Sequence, residues 1–142
     1  QDEDIRLFCG EEAKAEFLEE TDILVNLLPS TPQTRDIINA DLLSCLKPGA
    51  QLINVGRGDH VVEADLLAAL ESWQIAGAVL DVFREEPLPK QSAFWTHPRV
   101  IVTPHVAAEA ACKIQAAYIA NAIQEIEAGK TPELTYRPEW GY

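Results

Sequence analysis

No Gly-x-Gly-x-x-Gly run occurs anywhere in the 142 residues. Such a loop cradles a pyrophosphate at the start of a helix, so these residues supply no cradle of that kind. Positive charge is also scarce. Eleven Lys and Arg stand against 23 Asp and Glu, for a formal net charge of −12. A surface of that sign repels phosphate backbones and anionic headgroups, which argues against nucleic acid and membrane as partners. A small anionic ligand would need a local cationic anchor. No apolar run approaches the length of a membrane span, and Gln1-Asp2-Glu3-Asp4 is unlike the start of a secretory leader. The three cysteines, Cys9, Cys45 and Cys112, are odd in number and lack metal-ligand spacing. They are expected to be reduced, buried thiols of a cytoplasmic protein. Internal repeats and low-complexity tracts are missing too.

What remains is an ordinary globular composition, 47% apolar and 24% charged. The length suits one domain or a large piece of one. A start at Gln1 instead of Met fits a fragment or a processed product. Short apolar runs alternate with helical periodicity. Strands are expected at residues 5–8, 22–28, 51–55, 76–80 and 100–102. Helices are expected at residues 11–20, after Asn39 as a cap, at 63–73 and at 107–128. Leu42, Leu43, Leu46, Leu66, Leu67 and Leu70 would face inward. Strand–helix alternation at this spacing implies parallel strands joined by right-handed crossovers. Strands apolar throughout imply a sheet covered on both faces, hence an open, doubly wound α/β architecture. Ligands of such sheets gather at the carboxyl ends of the strands. Residues 83–99 form a long irregular stretch, and loops of that length are often functional.

Three segments following strands carry candidate chemistry. Arg57 lies between Gly56 and Gly58, where a guanidinium offers paired donors to a carboxylate. His105 follows Thr103-Pro104, and an imidazole there can act as acid or base near neutral pH. Glu85 and Glu86 lie in the loop after residues 76–80. Either carboxylate beside His105 would favour the imidazolium and fix its tautomer. Asp81 ends its strand and is equally well read as a turn cap or an acceptor for an amide ligand. Pro29-Ser30-Thr31-Pro32-Gln33-Thr34 is a hydroxyl-bearing loop that reads as a turn or as the lining of a nucleotide site. His60 and His97 lack comparable context and are expected at the surface.

Together these words resemble the D-2-hydroxyacid dehydrogenase family. The matching ones are Asn26-Leu27-Leu28-Pro29 with Thr31 and Thr34, Asn54-Val55-Gly56-Arg57-Gly58, Asp81-Val82-Phe83 with Glu86-Pro87, and Thr103-Pro104-His105. Residues 94–100 and 106–108 resemble a branch that reduces glyoxylate and hydroxypyruvate. The resemblance implies the C-terminal portion of a Rossmann-like NAD(P)-binding domain without its first βαβ glycine-rich unit. Residues 1–106 would belong to that domain, and 107–142 would be a helix and tail returning to a substrate domain.

The resemblance also implies roles. Arg57 would hold the carboxylate of a small 2-oxoacid. His105 would exchange a proton with its carbonyl oxygen. Glu86, directly before Pro87, would pair with His105, and Asp81 would meet the nicotinamide carboxamide. Leu28, Pro29, Thr34, Val55 and Gly56, with Arg57 and His105, would line the site of NADP or NAD. Gly56 stands where the resemblance leads one to expect Ala or Ser. The parent would be a homodimer, and the isolated segment would not turn over. A cofactor-sensing corepressor of the same fold, and an interaction module without chemistry, remain open as alternatives.

Overall fold

A computed structural model describes residues 5–108 and 111–132. Four parallel strands, β1 (Ile23–Asn26), β2 (Ala50–Asn54), β3 (Ile75–Leu80) and β4 (Val100–Val102), lie side by side in chain order. Helices α1 (Glu11–Glu20), α2 (Ala40–Cys45) and α3 (Glu63–Glu71) precede β1, β2 and β3, and α4 (Cys112–Glu127) follows β4. A 3-10 turn, Gly58–His60, separates β2 from α3, and a second, Ala93–Trp95, lies in the long loop before β4. The expected α/β order is present.

Local chemistry explains the short helices. Asn39 is extended, and its side-chain oxygen accepts from Leu42 N at 3.1 Å, capping α2. At the other end Gln74 Nε2 donates to the carbonyls of Leu43 (3.0 Å) and Leu46 (2.9 Å), adding to the bond that Leu46 N gives Leu43 O at the end of the helix. Leu43 of α2, Leu46 just after it, and Leu66 and Leu70 from α3 then meet Leu52, Ile75 and Leu80 of the sheet in one buried cluster. Phe83 and Phe94, with ring centroids 6.1 Å apart, extend that cluster under the long loop.

The strands alternate between buried and open positions instead of being covered on both faces. Leu24, Leu52, Ala78 and Leu80 point into the core, whereas Ile23, Val25 and Ile101 remain 54%, 48% and 62% exposed. Right-handed crossovers between neighbours that always advance in one direction place their helices on one face. Covering the second face takes crossovers running the other way, and the described residues hold none.

Further expectations are corrected. Residues 5–8 are not a strand; Ile5 and Leu7 are exposed, and Arg6 reaches Glu16 and Glu20 of α1 instead. Cys9, Cys45 and Cys112 are free but exposed. Cys9 precedes α1 in irregular chain, Cys45 faces outward because Leu43 and Leu46 take the inward positions, and α4 buries no residue. His60 is fully buried, not superficial, for a reason given below. The final helix begins at Cys112, and residues 133–142 of the expected tail lie outside the described residues. No described helix is long and apolar enough to cross a membrane.

Gly58 joins the β2 exit to the β3 exit. A Cβ built there would lie 1.9 Å from the Phe83 carbonyl carbon and 2.6 Å from Arg84 N, both backbone atoms that cannot swing aside. Gly58→Ala is therefore expected to destabilise the fold by at least about 1–3 kcal/mol. Urea unfolding should show a lower midpoint.

Candidate active site

The register brings the four strand ends level: Asn26 pairs with Asn54, Asn54 with Leu80, and Leu80 with Val102. Backbone bonds carry the alignment one residue further, from Val55 N to Asn26 O (3.2 Å), Asp81 N to Asn54 O (3.0 Å) and Thr103 N to Leu80 O (3.0 Å). Every candidate segment thus leaves the carboxyl end of the sheet.

Asp81 organises the β4 exit. Its side chain is 2% exposed. Oδ1 accepts from the Thr103 hydroxyl at 2.5 Å and from Val106 N at 2.9 Å, and Oδ2 accepts from Ala107 N at 2.9 Å. Its own carbonyl accepts from His105 N at 2.9 Å. Burial alone would raise its pKa, but the Thr103 hydroxyl and the two backbone donors outweigh burial and hold it below the usual carboxylate value. The turn so clamped puts His105 at φ 55°, a left-handed conformation uncommon outside glycine.

There His105 Nδ1 meets Glu86 Oε2 at 2.8 Å, while Glu86 Oε1 accepts from Phe83 N at 2.9 Å. The bond from His105 is the main cause of a lowered Glu86 pKa, against partial burial and with help from the Phe83 amide. Glu86, not Glu85, is the paired acid. The pair lines a cleft of about 520 Å³ with Asp81, Phe83, Leu88, Trp95 and Thr103. Trp95 is fixed from behind by its Nε1 donating to Pro89 O at 3.0 Å.

Arg57 is not among the residues lining that cleft; it is exposed, and its Nη1 donates to Gly56 O at 2.7 Å. Two members of the expected trio are therefore in contact, and the third sits at the neighbouring strand end on a flexible stem. Leu28 is 43% exposed. Pro29 O accepts from the Thr34 hydroxyl at 2.7 Å, and that hydroxyl also accepts from Thr31 N at 2.8 Å, so the loop closes on itself. Val55 is half-buried and Gly56 is buried beneath this loop.

The sequence reading assigned no role to Asn26, Asn54 or His60. Asn26 Nδ2 donates to Asn54 Oδ1 and to His60 Nδ1, each at 2.8 Å, and Asn54 Nδ2 donates to Arg57 O at 3.1 Å. His60 Nε2 faces Pro29 O at 3.2 Å. The available sign was an asparagine closing each of two successive apolar strands. No group of described residues has the arrangement of a metal site.

Residues 2–107 match the model of the family described as D-isomer specific 2-hydroxyacid dehydrogenase, NAD binding domain. The chain is 51% identical over 128 residues to glyoxylate/hydroxypyruvate reductase A of Serratia proteamaculans (strain 568), covering 90% of this chain and 41% of that protein. It superposes with TM-score 0.90 and 47% identity on a D-isomer specific 2-hydroxyacid dehydrogenase of Xanthobacter autotrophicus Py2 in complex with NADPH and MES, covering 94% of this chain and 55% of that one. An NADPH-dependent glyoxylate/hydroxypyruvate reductase of Sinorhizobium meliloti, in complex with NADP and sulfate, gives TM-score 0.89 at 42% identity over 93% of this chain and 43% of that one. The chain spans about two fifths of the length of the curated relatives it matches. With the family model covering most of its length and the strand ends arranged as described, this chain belongs to the D-isomer-specific 2-hydroxyacid dehydrogenases.

Proposed function

We propose that this chain is the catalytic portion of an NADPH- or NADH-dependent reductase of small 2-oxoacids, with glyoxylate and hydroxypyruvate as its substrates. One observation carries the reading: His105 Nδ1 is bonded to Glu86, which leaves Nε2 to carry the transferable proton at a cleft. The names of the relatives supply the substrate class. Residues 1–106 serve as part of the cofactor domain, and 107–142 pass to a substrate domain in a dimeric parent. The end of the family match at residue 107 and the absence of buried residues in α4 support that division.

The residues present fit the nicotinamide half of the cofactor. Asp81 Oδ2 accepts one bond from the chain and keeps an acceptor direction for a carboxamide. Leu28, Pro29, Thr34, Val55 and Gly56, which follow β1 and β2, would line the rest of the cofactor site. They do not fit the pyrophosphate half, for which no glycine-rich loop is present. The cofactor, when bound, supplies the hydride.

Everything else falls to this chain. Arg57 swings from Gly56 O to take the substrate carboxylate as a paired acceptor. His105 gives its Nε2 proton to the carbonyl oxygen as negative charge develops there. Glu86 stays ionised, holds the ring by Nδ1, and stabilises the positive charge that precedes transfer. Asp81 keeps His105 in its left-handed turn. The isolated segment does not turn over.

In the intact protein, His105→Ala is expected to lower the reduction rate about 100- to 10,000-fold, with NADPH binding retained. Arg57→Ala should raise KM for glyoxylate and lower turnover. Steady-state assays with glyoxylate and hydroxypyruvate check both. Full activity of the His105 variant defeats the proton-transfer role, and NADPH binding without turnover in the wild type favours a sensor. Because the Glu86 pKa is lowered on folding, its contribution to stability is present above the unfolded carboxylate value and is lost as pH falls through the folded one. The stability difference between wild type and Glu86→Gln should therefore be full near neutrality, begin to shrink as pH falls to the ordinary glutamate value of about 4.3, and vanish only below the lowered folded-state value. Unfolding midpoints across that range would show it.

A further inference from the structure

His60 is completely buried and takes no part in the mechanism above. Its neighbours dictate how its ring is used. Pro29 O can only accept, so Nε2 donates to it at 3.2 Å. The Asn26 amide nitrogen can only donate, so Nδ1 accepts from it at 2.8 Å. The orientation of that amide is fixed independently, because Asn26 Oδ1 accepts from Leu28 N at 3.2 Å. Its second hydrogen goes to Asn54 Oδ1, which also accepts from Gly56 N at 3.2 Å, and Asn54 Nδ2 closes the path at Arg57 O. A continuous run of hydrogen bonds thus leads from Pro29 through His60, Asn26 and Asn54 to Arg57.

The run joins the two halves of the site proposed above. At one end is the loop that would line the cofactor, and at the other is the turn bearing the carboxylate anchor. The 3-10 turn holds the same loop through Ser30 Oγ to Asp59 Oδ2 (2.7 Å) and Asp36 N to Asp59 O (2.9 Å). Gly56 lies directly over the run. A Cβ there would approach Asn26 Nδ2 to 2.9 Å, Leu28 O to 3.1 Å and His60 Nδ1 to 3.3 Å, so the glycine lets the β1 and β2 exits close together. A ring that accepts on one side and donates on the other spans Asn26 and Pro29 without a rotatable joint between its two nitrogens.

We propose that His60 is a positioning residue, which through Asn26 and Pro29 sets the cofactor loop against the Arg57 turn and so couples the two binding subsites. The proposal rests on the reductase reading for the identity of those subsites. The His105–Glu86 pair leaves other strands and is untouched by the run, so binding should suffer more than the chemical step.

The test is made in the intact protein with His60→Phe, which keeps a ring without its polar atoms, and His60→Gln, which restores one acceptor and one donor. His60→Phe is expected to raise KM for both NADPH and glyoxylate about tenfold while kcat at saturation changes less than about threefold. His60→Gln should recover most of the loss. Long-range nitrogen NMR of the wild-type imidazole should show Nε2 protonated and Nδ1 bare. Unchanged KM values with only a lower melting temperature would make His60 a core filler and overturn the proposal, as would a Gln variant no better than Phe. If the wild type fails to reduce glyoxylate or hydroxypyruvate, the reductase reading falls, and the NADPH dissociation constant becomes the readout. Equal constants for wild type and His60→Phe then overturn the coupling, a weaker one for His60→Phe supports it, and a wild type that binds neither NADPH nor NADH overturns both.

Discussion

The buried carboxylate of Asp81 is the constraint on which the site depends. A charge in that position has to be met by donors, and the chain meets it with the hydroxyl and two amides of the segment leaving β4. In satisfying Asp81 the segment is bent into the one turn that presents His105 to Glu86. The imidazole owes its place less to its own contacts than to an acid on the adjacent strand. Two carboxylates serve one histidine here: one shapes the backbone that carries it, and the other holds the ring.

Much of this was legible beforehand because it rests on local patterns. The bounds of α1, the Asn39 cap and the inward leucines of α3 follow from periodicity and capping chemistry, which neighbours in sequence decide. The choice of Glu86 over Glu85 came from likeness to a family, since adjacent acids in a loop give periodicity nothing to work on. What escaped was set by distant contacts. His60 is buried because β1 and β2 end on paired asparagines that need it, and no window of consecutive residues contains all three. The outward cysteines were misjudged for the opposite reason. Their burial was inferred from residue type, whereas the inward positions of α2 were already taken by leucines.

The one-sided sheet shows where a correct class and a missing part meet. Each strand reads as apolar on both faces, and the strands are parallel as that pattern requires. Yet helices cover a single face among the described residues, because every crossover advances in the same direction. The apolar side chains on the other face are thus a property of topology as much as of composition.

The level strand ends carry a consequence for how such a chain can vary. Because side chains alternate along a strand, adding or deleting one residue within β1, β2, β3 or β4 would send each following residue to the opposite side. Asn26, Asn54, Asp81 or Thr103, whichever ends or follows the altered strand, would leave its partners. Residues 83–99, held by their ends and by Phe83 and Phe94, face no such parity rule. Among descendants of this sequence, changes in length should therefore accumulate between Glu86 and the start of β4, and the strands should keep their residue count even where their identities drift.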